Sequence, residues 1–235
     1  MKEIINNPLF WILITLAAFE IGIVIYKRTK FPLFNPLLIA IVLVIGVLVI
    51  FNIDYEIYNL GGKFINNFLG PATVVLAVPL YKQLNALKKN LWPVLIGLFV
   101  GSLTSIVCVI ILGKAFGLDE SLIASLVPKS VTTPIGVEIS NSLGGVKSIT
   151  IVCIVLTGIV GAIIAPIVSK VLKIKSEVAI GIGIGAASHA VGTSKAFEMG
   201  EVQGAMSSLS IGIAGLITVF LSPSIYMLAR IMLKF

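Results

Sequence analysis

Leu126-Val-Pro-Lys-Ser-Val-Thr-Thr-Pro-Ile-Gly-Val-Glu-Ile-Ser140 is a polar interruption in a chain that is otherwise soluble in lipid. It sets Lys129 and Glu138 among prolines and hydroxyl side chains, where apolar residues would be cheaper, so something must offset two ionisable groups. Asp119 to Val127 can form a short helix that Pro128 ends, because the residue before a proline is pushed out of the α region. A second short helix can start with Thr132 or Thr133 as N-cap and Pro134 at its first helical position, and run to a stop at Gly144-Gly145. The break between them spans Pro128 to Thr133.

The surrounding composition is that of an integral membrane protein. Hydrophobic residues make up 58% and charged residues 11% of 235 positions, against about 25% charged in a soluble domain. The apolar runs have the length of helices that cross a hydrocarbon layer of roughly 30 Å, and helices are required because the backbone finds no water there. Full spans are expected at 9–26, 33–51, 64–81, 91–112, 148–169 and 204–229, with broken apolar stretches at 120–147 and 178–200. The expected fold is therefore an all-α integral membrane protein of six full transmembrane helices plus two discontinuous or re-entrant segments, resembling a transporter. The chain reads as one polytopic domain, with scaffold helices in 1–63 and a broken-helix core in 64–235.

A net charge of +7 could suggest a nucleic-acid partner, but the basic residues lie in short loops instead of along one soluble face, so they report orientation. Lys27, Arg28 and Lys30, then Lys82, Lys88 and Lys89, then Lys170, Lys173 and Lys175, then Arg230 and Lys234 are expected to be cytoplasmic. This places the N-terminus outside and the C-terminus inside, with 53–63 and 113–119 as external loops carrying Asp54, Glu56, Asp119 and Glu120. By the same parity 120–147 enters and leaves by one face, and 178–200 crosses once as a discontinuous helix. The apolar run from Pro8 to Tyr26 resembles a signal peptide, but Lys27-Arg-Thr-Lys30 follows it in place of a small-residue cleavage site, so it reads as a retained span. Cys108 and Cys153 lie in separate apolar runs without a C-x-x-C spacing and read as packed small hydrophobes, with no metal site.

Pro71, Pro128 and Gly185 recur 57 residues apart, as do Gly101, Gly158 and Gly215, while Pro166 and Pro223 share the offset. Glycine and proline are common in membrane helices and chance supplies some such matches. Read as a repeat, each unit is a broken stretch followed by a long span, the device secondary transporters use to build a site near the bilayer midplane.

The unpaired N–H groups and positive dipole end of a half-helix favour an anion in the gap before it. Lys129 adds a full charge, so the break describes a carboxylate or phosphate site with Ser130, Thr132 and Thr133 as hydroxyl donors. Glu138, about one turn into the second half, could pair with Lys129 when the site is empty or carry a coupling proton; the plainer alternative is a structural ion pair. In the second broken stretch, from Gly181 to Glu198, His189 is the only histidine and stands beside Ser188, with Thr193 or Ser194 able to cap a helix. It could relay protons or donate to a carboxylate, or be an ordinary hydrogen-bonded buried histidine. The Gly181-x-Gly183-x-Gly185 run lacks the strand context of a dinucleotide loop and fits close helix packing instead. Leu69 to Pro79, carrying Thr73, reads as a kinked cavity wall, and Glu20 as a carboxylate that snorkels or pairs with a lysine. Hydrolysis by Ser130 with Lys129, or by Ser188 with His189, is disfavoured because adjacent helical residues diverge and the only aspartates, Asp54 and Asp119, lie in or beside loops, so no enzyme is expected.

Leu69-Gly-Pro-Ala-Thr-Val-Val-Leu-Ala-Val-Pro-Leu-Tyr-Lys82, Pro128-Lys-Ser-Val-Thr-Thr-Pro134 with Glu138, Leu143-Gly-Gly145 and Ala187-Ser-His-Ala-Val-Gly-Thr193 resemble the LrgB/CidB membrane-protein family, also called the YohK type. Asn35-Pro-Leu-Leu38 also fits. The resemblance implies antiholin-like regulators of murein hydrolase export and cell lysis, paired with a small holin-like LrgA/CidA membrane protein. Relatives are similar to plastid glycolate/glycerate translocators and bacterial pyruvate carriers. It singles out Thr73, Lys129, Ser130, Thr132, Thr133, Glu138, His189 and Thr193 as functional positions. Gly136, where many members have alanine, and Glu20 depart from the pattern.

The leading expectation is a secondary transporter or facilitator of a small monocarboxylate, such as pyruvate or glycolate, across the bacterial inner membrane. It would work by alternating access, with Ser188 added to the substrate contacts, coupled to a proton through Glu138 or His189 or to a sodium ion, and without another cofactor. The alternative expectation is an antiholin-like regulator acting with an LrgA/CidA-type partner. Family analogy adds a homodimer, and the expected surroundings are membrane lipids.

Overall fold

Asparagine and proline start the helix Pro36–Ile50, and a glycine of the helix before it decides how closely the two pack. The computed structural model describes residues 5–29, 31, 34–68, 71, 74–75, 77–82 and 84–233, and these fall into two units, Met1–Val75 and Leu76–Phe235.

The first unit contains α1 (Pro8–Thr29), α2 (Pro36–Ile50) and α3 (Tyr55–Asn66). Asn35 caps α2, its Oδ1 accepting the Leu37 and Leu38 N–H groups at 2.9 and 3.4 Å, while Pro36 fills the first turn where no N–H is needed. α1 and α2 approach so closely at Gly22 that a Cβ there would stand 2.6 Å from the Pro36 carbonyl oxygen. α3 is a correction: 53–63 was expected to be an external loop. Ile57, Tyr58, Gly61 and Ile65 turn inward at helical spacing, covering the fully buried Trp11 and placing the Tyr58 hydroxyl 3.3 Å from that of Thr15. Glu20 is exposed on α1.

The second unit runs through α4 (Ala77–Lys82), α5 (Leu84–Lys89), α6 (Leu91–Ala115), α7 (Glu120–Leu126), α8 (Thr133–Ser142), α9 (Lys147–Val171), α10 (Glu177–Met199) and α11 (Glu201–Leu233). Four helices among the described residues, α1, α6, α9 and α11, are long and apolar enough to cross a membrane, and α2 is apolar but only 15 residues long. The described residues therefore form an all-α, multi-pass membrane architecture. The expected span at 64–81 does not appear as one helix: α3 ends at Asn66, α4 begins at Ala77, and Leu69, Gly70, Ala72, Thr73 and Leu76 lie outside the described residues.

α7 and α8 fold back on one another as a hairpin, with the break where the sequence places it. α7 turns back along the end of α6, with Ile123 so close to Gly113 that a Cβ on the glycine would lie 2.8 Å from it. After the break α8 returns to the level of α7: the Val146 N–H donates to Ser125 Oγ at 2.7 Å, and a Cβ on Gly145 would meet the Ser125 amide at 2.7 Å. Ser140 then accepts from Thr150 of α9 at 2.7 Å.

α10 is a second re-entrant hairpin, which overturns the expectation that 178–200 crosses the membrane. The chain reverses at His189, whose φ of 42° and ψ of −140° lie outside the helical region. Beyond the reversal Gly192 rests against Ile184 of the first arm, and a Cβ there would lie 3.4 Å from the Ile184 carbonyl oxygen. By the start of α11 the chain is back beside the start of α10, since Gln203 packs on Gly181 and its amide donates to Glu177 at 3.3 Å. No proline marks this tip; the backbone at His189 and the contacts of Gly192 with Ile184 and of Gln203 with Gly181 show that the two arms do not continue one another.

The reversal changes the parity of everything after it. α6 and α11 run in the same direction: Val94 and Leu98 pack with Ala214, whereas Ile106, Val109 and Ile110 pack with Tyr226. The face where α6 begins and α9 ends, called here the near face, carries Lys88, Lys89, Lys170, Lys173 and Lys175. The far face carries Asp119, Glu120 and Arg230, whose Nε is 2.8 Å from Glu120 Oε1. The expectation that all the basic clusters share one face therefore fails at Arg230, and with it the placement of the C-terminal end of α11 beside Lys88 and Lys170.

Candidate functional site

The two hairpins enter from opposite faces and bring their tips to one cavity. Pro128 ends α7, Lys129 and Val131 continue as a turn through bonds to the Leu126 and Pro128 carbonyls, and Thr132 stands at the N-cap of α8 with Pro134 in its first turn. The tip thus lifts Lys129 and Ser130 off both helices. Lys129 Nζ donates to Ser130 Oγ at 3.1 Å and to Ser105 Oγ at 3.4 Å, and the two hydroxyls are 3.2 Å apart. A single cation is thereby held by hydroxyls that keep a lone pair or proton for a further partner.

These groups form the floor of a cavity of about 1020 Å³. Its walls come from α6 at Gly97, Gly101 and Thr104, from α9 at Thr157 and Gly161, and from the first arm of α10 at Gly183, Ala187 and Ser188. Asn90 and Ser176 line its other end, so the cavity runs from the near face down to the hairpin tips. Small residues make the room: at Gly161 any side chain would overlap the Ser188 hydroxyl.

Of the residues expected at the site, Lys129, Ser130 and Ser188 line the cavity together. His189 is buried next to Ser188 but turned away, its Nε2 2.9 Å from the Ile154 carbonyl oxygen, a geometry in which Nε2–H donates. The ring lies on Gly158, where a Cβ would be 2.7 Å from Cε1. Thr193 is also buried away from the cavity and fastens the second arm, donating to the His189 carbonyl at 2.9 Å and meeting Ser207 Oγ at 2.7 Å. Thr132 and Thr133 are half-buried and are not among the lining residues. Thr73 lies outside the described residues.

Glu138 does not meet Lys129. It is exposed on α8 and borders a separate cavity of about 490 Å³ with Pro134, Ile135, Ile139, Ser142, Val219 and Pro223. The expected Lys129–Glu138 pair is replaced by the two serine contacts, because the turn at 127–131 and the start of α8 point these side chains to different sides. Ser105 is the residue that sequence reasoning missed. The signal available was Gly101-Ser-Leu-Thr-Ser105, a small and hydroxylated patch inside an otherwise apolar span.

α6, α9 and the tips of the two hairpins surround a mostly apolar cavity in the second unit, and with four membrane-length helices among its described residues the chain is a multi-pass membrane protein. The chain belongs to the LrgB-like family, which it matches over residues 15–228. It is 42% identical to the protein YxaC of Bacillus subtilis (strain 168), over 94% of this chain and 96% of that one. It is 41% identical to antiholin-like protein LrgB of Bacillus mycoides (strain KBAB4) and 40% identical to the protein of that name in Bacillus cereus (strain B4264), each over 92% of this chain and 95% of the relative. No solved structure matches the chain.

Proposed function

We propose that this chain is an antiholin-like regulator in the bacterial cell membrane, restraining murein hydrolase export in company with a small LrgA/CidA-type membrane protein. The observation that carries the reading is identity of about 40% along nearly the whole chain to proteins named antiholin-like protein LrgB. The test is expression with and without the partner in a strain lacking both, with secreted murein hydrolase activity measured on zymograms. The chain with its partner is expected to lower that activity; equal activity in all strains defeats the proposal.

A second reading is favoured by the cavity itself. A lone cation held by two serines at the floor of a one-sided cavity is the arrangement that a small monocarboxylate such as pyruvate or glycolate would find complementary. In this reading the protein passes the acid across the membrane, coupled to a proton or a sodium ion, and makes or breaks no covalent bond. Uptake of labelled pyruvate or glycolate into liposomes holding the purified chain alone tests it, and no uptake above empty liposomes counts against it. The two readings are compatible if export control depends on the acid bound at Lys129.

A further inference from the structure

The two hairpins stand in the same relation to the helices that follow them. Thr150 of α9 bonds Ser140 of the first hairpin, and Ser207 of α11, 57 residues further on, bonds Thr193 of the second. A hairpin and its long helix thus occur twice in opposite senses, one unit entering from the far face and the next from the near face. Units inverted in this way can exchange conformations, so that a central site opens on one face and then on the other.

The present packing is unequal. Between α9 and the first arm of α10 there is the open cavity of about 1020 Å³. The equivalent space between α11 and α7 is filled by Ile106, Ile110, Ile123, Val127 and Tyr226, all buried. At the far face this filling is closed by two bonds to Glu120: Arg230 Nε to its carboxylate at 2.8 Å, and the Tyr226 hydroxyl to its carbonyl at 2.9 Å. The positions 57 residues from Glu120 and Arg230 are Glu177 and Lys173, which carry the same charges at the near face. Neither takes part in an ion pair among the described residues, and Glu177 accepts from Gln203 instead.

The geometry points to Glu120–Arg230 as the latch of a far-face gate, with Lys173 and Glu177 as its open counterpart at the near face, the two pairs forming in turn as the cavity changes sides. This deepens the reading of the cavity as a passage for a solute and rests on it. The latch is partly exposed, with side chains 59% and 36% accessible, so it biases the exchange modestly and can be broken.

The test uses full-length chain in oriented membrane vesicles, with Cys108 and Cys153 replaced by alanine and one reporter cysteine introduced. Gly101→Cys reports on the open cavity, where an added side chain meets nothing within 4 Å, and Ile110→Cys reports on the far-side filling. Labelling by a membrane-impermeant maleimide is measured from each face. Arg230→Gln or Glu120→Gln is expected to raise far-face labelling of Ile110→Cys by up to about fivefold, and to lower near-face labelling of Gly101→Cys in parallel. Lys173→Gln is expected to move both rates the opposite way, and Glu120→Arg combined with Arg230→Glu to restore them. Unchanged rates, or a rise at both reporters together, overturn the latch. A Gly101→Cys that reacts from neither face overturns the latch and the open cavity with it.

Discussion

The two hairpins solve one problem in opposite ways. The first breaks over several residues between prolines and lifts a cation and a hydroxyl clear of both arms, into the cavity. The second breaks at one residue, buries its histidine against Gly158, and turns His189 and Thr193 onto neighbouring backbone and hydroxyls, leaving only Ser188 on the cavity wall. A tip meant to meet a ligand leaves polar groups partly unsatisfied by the protein, whereas a tip meant to hold a wall in place satisfies them internally. Under the carboxylate reading proposed above, ligand specificity would reside in the first hairpin, while the second defines a wall of the cavity.

Substitutions can break this division. The largest effect is expected at Gly161, where α9 touches the second tip: Gly161→Leu drives a side chain into Ser188 and should destabilise the fold by about 1–3 kcal/mol. Thermal unfolding in detergent measures it, and an unaltered melting curve would show that the tip is not packed as described. Next is Lys129→Ala, which should weaken carboxylate retention roughly 10- to 100-fold, as expected for a lost hydrogen bond to a charged group, without lowering the melting temperature. A parallel loss of fold would move Lys129 to the structural side of the comparison.

His189 sharpens the same contrast. A non-glycine residue at φ 42° stores strain of about 1–3 kcal/mol, so His189→Gly should be less harmful than His189→Ala although both lose the bond to Ile154. Equal melting temperatures for the two variants would remove strain from the account. Any part of His189 in proton coupling would show separately, as a flattened response of uptake to a pH gradient in His189→Gln. Smaller again, Thr193→Val and Ser140→Ala should each lose about 0.6–2 kcal/mol, the range of hydrogen bonds between membrane helices. The smallest effect is expected at the mouth of the first hairpin. Asp119 accepts from the Leu122 N–H and the Ser121 hydroxyl, and these bonds hold its carboxyl below the ordinary carboxylate range. Its cap is therefore complete above the unfolded value of about 3.9 and fades as the pH falls through the lowered one. Hydrogen exchange at the Leu122 amide should accelerate over that acid window, and in Asp119→Ala it should be fast throughout.

Much of the first hairpin was legible because proline writes its position directly into the sequence, and because a lysine in an apolar chain has few structural uses. The break at 128–133 and the fold-back that brings Lys129 and Ser130 to a cavity wall are readable from that. The second hairpin was not legible as a reversal. Its tip reads Ala187-Ser-His-Ala190 between helix-compatible residues, and only tertiary contacts with Gly158, Gly161 and Ser207 fix the chain direction there. The error in the face reached by α11 followed from this one missed turn. Ser105 was hidden because a serine within a long apolar span needs no explanation of its own, and α3 because Asp54 and Glu56 outweighed the inward spacing of Ile57, Gly61 and Ile65. Closeness in sequence makes a Glu138–Lys129 pair one of two expectations for Glu138, but the intervening turn separates the two side chains.

The arms of the hairpins also bear on how the protein is made. α7 has seven residues and reaches about 10 Å, well short of the roughly 20 residues that cross a bilayer unaided, so the first hairpin depends on neighbours for cover: α6, made before it, and α9, made after it. A chain stopped before Lys147 would leave the first hairpin packed on α6 alone, without the Thr150 hydroxyl that donates to Ser140.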